Sequence, residues 1–258
     1  ESPTGVIVSH TFSKIEVEMN TVLFDSVYTI GSKKIGYMVL KGFISPTKAE
    51  LDNTFLKFKN KNINEIIVDL RYNGGGSIDV SAYLASLIGG NIANGSIYTI
   101  YKYNNKNSNL NQSIPFKTNA NAVNLNQALF ITTYGTASAS ELVINGLKPY
   151  MNVSLIGSRT HGKPVGMPVL MYKEFDWVFL PICISLQNAN NEGDYFDGIP
   201  VNVEAADDYK LPFGDINEDS FAAALNYLGV SPKGVKSKSV RRSTLVTGKG
   251  LYEEIGAW

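Results

Sequence analysis

Two apolar runs constrain the fold of this chain more than any other feature. Ile66-Ile-Val-Asp-Leu70 and Ala128-Leu-Phe-Ile-Thr-Thr-Tyr134 are short and apolar on successive residues, so each reads as a strand. The first has the pattern of a central strand covered on both faces. It runs into Arg71-Tyr-Asn-Gly-Gly-Gly-Ser77 and then a helical stretch over 80–88, ended by Gly89-Gly90. The second runs into Gly135-Thr-Ala-Ser-Ala-Ser-Glu141, a helix over 141–147 and another strand over 153–156. This is the βαβ rhythm of a mostly parallel sheet, so an α/β fold is expected.

The rest of the chain is read by the same rules. Residues 5–30 read as short strands, with apolar alternation over 6–12 and 14–19, and 35–40 as another strand. Pro46 opens a helix with Leu51, Phe55 and Phe58 on one face. Residues 104–127, rich in Asn and Ser, are expected to form a long surface loop or a mobile lid, with disorder as the alternative. A pair of strands is expected within 170–186, and a helix over 217–228 ended by Gly229. Residues 231–249 read as a flexible basic tail.

Composition narrows the function. Basic and acidic side chains balance at 23 each, which gives no reason to expect nucleic acid or an acidic membrane as partner. Hydrophobic residues at 44% and charged residues at 18% suit a folded protein. No apolar run approaches the ~18–20 residues of a membrane span. The sequence opens at Glu1 rather than Met, as expected of a trimmed or mature form that has lost any leader or lipid anchor. The single cysteine, Cys183, sits among apolar neighbours and is expected to be buried.

Ser138 and Lys163 carry the chemistry. A strand-to-helix turn can hold a serine hydroxyl out of the sheet with helix N–H groups aimed at the product of its attack, and lysine can serve as its base. The same Ser138-x-x-Glu141 is also a capping box, which structure alone would justify. As a base Lys163 must be neutral near pH 7, a lowering of ~3 units or about 4 kcal/mol, within what burial does to lysine. Its bland reading is a solvated loop lysine. His161 is a competing base, two residues from Lys163 and on the opposite face if the segment is extended, and is read as a pocket wall. The string 157–163 nearly matches a phosphate-binding loop, but Pro164 stands where Ser or Thr should hold magnesium, and the residues beyond it read as extended. No nucleotide, metal or cofactor is expected. Gly74-Gly75-Gly76 is either a plain turn or an oxyanion site. Asp69 and Arg71 read as an internal ion pair fixing that turn.

Several motifs together resemble the tail-specific, or C-terminal processing, peptidases of family S41. Ile35-Gly36-Tyr37 with Phe43, Asp69-Leu-Arg-Tyr-Asn-Gly-Gly-Gly76, Thr136-Ala-Ser-Ala-Ser-Glu141, Thr160-His-Gly-Lys-Pro164 and Gly198-Ile-Pro200 resemble that family's motifs in the family's order. The resemblance implies a crotonase/ClpP-like spiral α/β core with a mostly parallel sheet, preceded by a short N-terminal β segment. It implies Ser138 as nucleophile and Lys163 as general base, with an oxyanion hole from the N–H groups of Ala139 and of Gly75 or Gly76. Met167 stands where many members carry a glutamine that orients the lysine, Pro164 replaces glycine, and His161 replaces an aromatic. The family usually has a PDZ domain before the core. Residues 1–30 are too short for one and read as the β segment that follows it. Residues 31–229 then form the peptidase core and 230–258 the tail. The implied activity is serine endopeptidase cleavage of unfolded proteins or exposed C-terminal tails, in the bacterial cell envelope (periplasmic, secreted or lipid-anchored before trimming). The alternatives are a non-catalytic peptide-binding relative and an esterase or acyl-transfer enzyme on the same scaffold. The sequence leaves the oligomeric state open.

Overall fold

The computed structural model describes residue 9, residues 11–15 and residues 19–230. Strands β1 (Val22–Ile30) and β2 (Lys33–Leu40) pair antiparallel. Helix α1 (Thr47–Asn60) starts after Pro46 and buries Leu51, Phe55 and Phe58, the face that the sequence predicts. Strand β3 (Glu65–Asp69) is buried along its length and runs parallel to β2. Helix α2 (Ile78–Ile88) follows and ends at Gly89. Strands β4 (Ile97–Lys102) and β5 (Gln112–Pro115) pair antiparallel. Then come β6 (Gln127–Thr132), α3 (Ala139–Leu147), β7 (Asn152–Gly157), the two-residue β8 (Val165–Gly166) and a hairpin of β9 (Leu170–Tyr172) and β10 (Trp177–Phe179). β11 (Ile184–Gln187), β12 (Val203–Glu204) and α4 (Asp219–Tyr227) complete the described chain.

The central sheet has the order β1-β2-β3-β6-β7-β12, and all pairs after β1–β2 are parallel. Successive strand residues point to opposite faces, which divides the core in two. Met38, Leu40, Ile66, Val68, Leu70, Ala128 and Phe130 pack with residues of α1, α2 and α3. Ile35, Tyr37, Val39, Ile67, Leu129 and Ile131 pack with Phe221, Ala224 and Leu225 of α4, and the Tyr37 and Phe221 rings stack 4.3 Å apart. Both faces being covered explains the evenly apolar runs. A second, antiparallel sheet has the order β5-β4-β11-β8.

Four expectations change. Residues 104–127 are not a lid: they contain a 3-10 helix (Asn105–Leu110) and β5, and they insert Phe116, Val123 and Leu125 into the core. The scattered Asn residues hide these anchors from a composition reading. Residues 11–15 form no strand and lie exposed. Cys183 is exposed, because it follows a hairpin that projects from the fold with Leu170, Met171, Trp177, Val178 and Phe179 each at least half exposed. Strands 170–186 are three rather than a pair, since β11 returns to the second sheet. The remaining expected strand residues before 19, His10, and the tail beyond 230 lie outside the described residues.

Candidate active site

The carboxyl ends of β3, β6 and β7 lie side by side, and the two turns with unusual sequence leave from the first two of them. Open α/β sheets place ligands outside these strand ends. After β3, the Asn73 side chain donates to Leu40 O at 2.9 Å and accepts the Gly75 N–H at 3.0 Å, which coils the glycine turn on itself. Asn73 O receives the Ala137 N–H at 3.0 Å and the Ser140 hydroxyl at 2.9 Å, so the glycine turn is stitched to the serine turn. Thr136 adds a third stitch, donating its hydroxyl to Leu70 O at 2.8 Å.

Glycine is required where the two turns touch. A Cβ on Gly75 would lie 2.8 Å from Ala137 O, from Ala139 N and from Ser138 Cβ, and the residue has φ +102°. A Cβ on Gly76 would fall 2.2 Å from Phe43 O. Backbone contact this close admits no side chain. The Gly75 N–H is already donated to Asn73, whereas the N–H groups of Gly76 and Ala139 have no acceptor among the described residues. Gly76 is exposed and Ala139 opens α3.

Ser138 has φ 56° and ψ −115°, outside the ordinary wells of a non-glycine residue. Such a conformation costs about 1–3 kcal/mol and persists only where neighbours over-determine it. The neighbour here is Glu141, which is fully buried. One oxygen of its carboxylate accepts the Ser138 N–H at 2.9 Å and the Lys163 N–H at 2.8 Å. The other accepts the Thr160 hydroxyl at 2.6 Å and the Gly162 N–H at 2.7 Å. Four donors satisfy the buried charge. The serine turn and the lysine loop therefore meet on one carboxylate. The two backbone nitrogens that share its oxygen stand no further apart than the two bonds laid end to end.

The loop beyond β7 reaches this position by further bonds. Thr160 exchanges hydrogen bonds with Ile199, whose N–H donates to the Thr160 hydroxyl at 2.7 Å. The His161 N–H donates to Thr136 O at 2.9 Å, and its ring lies 4.9 Å from that of Tyr134. The chain then continues into β8, an extended segment where a phosphate-binding loop would begin a helix. Lys163 is half-buried, and its pKa is lowered by desolvation of the ammonium, opposed by the Glu141 charge. Met167 follows β8 and is half-buried.

Of the residues singled out by sequence, Ser138, Ala139, Gly75 and Gly76 share one junction, and Glu141 ties Lys163 to it. His161 lines its edge beside Tyr134. Asp69 and Arg71 form the expected ion pair at 2.7 Å, and Arg71 also reaches Glu218 and Asp207, each at 2.8 Å. Sequence reading missed the coupling role of Glu141, which it saw only as a cap, and gave no signal for Asn73 or for Glu218 as a partner of Arg71.

Comparison with known proteins bears on the family and the fold. The sequence profile of peptidase family S41 matches residues 34–193. The "Probable CtpA-like serine protease" of Staphylococcus epidermidis is 25% identical over 172 residues, 64% of this chain and 34% of that protein. A Bacteroides fragilis protein classed with the S41 proteases superposes with a TM-score of 0.76 at 28% identity, covering 83% of this chain and 59% of that one. The photosystem II D1 C-terminal processing protease shares the fold, with a TM-score of 0.59 at 20% identity over 74% of this chain and half of its own. The chain thus spans about a third of the length of the curated relatives it matches. Motifs, fold and profile agree: this chain belongs to peptidase family S41.

Proposed function

We propose that the chain is the core of a serine endopeptidase in which Ser138 is the nucleophile and Lys163 the general base. The observation that carries this reading is the convergence of both residues' backbone N–H groups on one Glu141 oxygen, with family membership behind it. Neutral Lys163 takes the Ser138 proton as the hydroxyl attacks a peptide carbonyl. The N–H groups of Ala139 and Gly76 receive the oxyanion, and both are without other acceptors among the described residues. The lysine ammonium then protonates the leaving amine, and water hydrolyses the acyl-enzyme. Lysine has no tautomer to fix, so the pair needs no third residue for that purpose.

The substrates are unfolded proteins or exposed C-terminal tails, in keeping with the C-terminal processing role in the name of the photosystem II relative. The setting is the bacterial cell envelope. Among the described residues no helix is long and apolar enough to cross a membrane. Degradation of casein by the wild type, Ser138→Ala and Lys163→Ala, followed by gel and mass spectrometry, tests the reading. Cleavage by the wild type alone supports it, and equal cleavage by all three contradicts it. Turnover of acyl esters without casein cleavage would favour an esterase on the same scaffold.

A further inference from the structure

Met167, four residues beyond Lys163, offers a thioether that is at most a weak acceptor. Among the described residues Lys163 makes no hydrogen bond or ion pair through its amine. Two buried side-chain polar atoms also lack a partner among the described residues: Gln187 Oε1 and the Tyr195 hydroxyl. A buried amide oxygen left unpaired is costly and calls for an explanation.

Strand register supplies it. β11 pairs antiparallel with β8, matching Ile184 with Gly166 and Ser185 with Val165. The pairing extends past the two-residue strand, because the Leu186 N–H donates to Pro164 O at 2.9 Å. One further step along this register sets Gln187 opposite Lys163. Residues directly opposite in an antiparallel pair project from the same face, with Cβ atoms about 4.5–5.5 Å apart. The Gln187 backbone is fixed from the other side, where β4 pairs Ile100 with it and the Thr99 hydroxyl donates to its carbonyl at 3.0 Å.

We infer that Gln187 is the positioning residue for Lys163, its buried amide oxygen accepting from the lysine amine across the strand pair. This rests on the peptidase reading above. A neutral amine has two N–H donors and one lone pair. When Gln187 Oε1 accepts one N–H, the lone pair is turned in a fixed direction, toward the serine it must deprotonate. The bond-making and proton-transfer steps belong to Ser138 and Lys163, and Gln187 acts only by orienting the Lys163 amine.

The test reads the lysine directly as well as the activity. In protein carrying carbon-13 at lysine Cε, the Lys163 resonance, assigned by its loss in Lys163→Met, is titrated by NMR in wild type, Gln187→Glu and Gln187→Met. A carboxylate in place of the amide stabilises the ammonium and raises the midpoint by about one pH unit, whereas methionine removes the acceptor and lowers it. Opposite shifts do not follow from local disorder, and Ser185→Ala, on the same face of the same strand, leaves the midpoint in place. In the cleavage assay Gln187→Met loses at least about tenfold in kcat with KM little changed. Adding Met167→Gln restores most of that loss. An unmoved Lys163 midpoint in both folded variants overturns the inference. Absence of casein cleavage by the wild type would count against the peptidase reading instead, and the NMR titration would still decide the Gln187 contact.

Discussion

At the scale of single residues, Glu141 matters beyond its place in a helix cap. Its carboxylate compensates the backbone strain of Ser138 and anchors the loop that carries Lys163. Glu141→Gln keeps the shape but turns an amide NH2 toward donors, leaving at least one buried N–H unpaired. We expect a loss of about 3 kcal/mol in urea unfolding and a fall of about a hundredfold or more in kcat/KM. Gly75→Ala places a methyl group 2.8 Å from three atoms of the serine turn at a positive φ. It should remove activity even where circular dichroism shows the fold retained, because the turn must open to admit it. Lys163 gives a pH prediction. Burial lowers its pKa below the ordinary 10.5, and only the neutral amine can accept a proton. Activity therefore rises with pH through that pKa, and the acidic limb of kcat/KM should have its midpoint below 10.5. A limb at or above that value would mean that the titrating group is a solvated lysine.

At the scale of elements, Arg71 joins the end of β3 to the start of α4. Its guanidinium meets Asp69 and Glu218, both buried, and the more open Asp207. Desolvation raises the pKa of Glu218 against the pull of Arg71, so its charge is held at a cost. Arg71→Leu strands two buried carboxylates and should cost about 3–5 kcal/mol. Glu218→Gln should cost less than this, since the amide oxygen still accepts one of the two N–H groups at the start of α4 and Asp69 keeps its pairing with Arg71. Equal losses in the two variants would show that the ion pair is not what holds α4 in place. Helices α1 and α2 and strands β2, β3, β6 and β7 were legible in the sequence because their apolar spacing is set by the covers on each face. The second sheet and β12, the edge strand of the central one, were not. β8 and β12 have two residues each and pair with strands far away in the chain, and β5 hides in an Asn-rich stretch that local spacing cannot resolve.

At the scale of the molecule, the central sheet separates two cores, and the one beneath α4 is the smaller. Phe221→Ala removes the ring stacked on Tyr37 and should cost about 3–5 kcal/mol in urea unfolding. The sequence named Ser138, Lys163 and the glycine turn, because those residue types have few roles in such turns. The residues that bind these parts together act through backbone groups of distant segments, which no local pattern records. Asn73 holds the serine turn by its carbonyl, and Glu141 holds the lysine loop by its carboxylate. The proposed mechanism makes Ser138 a nucleophile activated by Lys163. A fluorophosphonate that traps serine nucleophiles, followed by peptide mapping, measures it directly. We predict an adduct on Ser138 in the wild type, none in Ser138→Ala, and labelling slowed at least about a hundredfold in Lys163→Ala. Equal labelling of wild type and Lys163→Ala at Ser138, or an adduct on another residue, would contradict it.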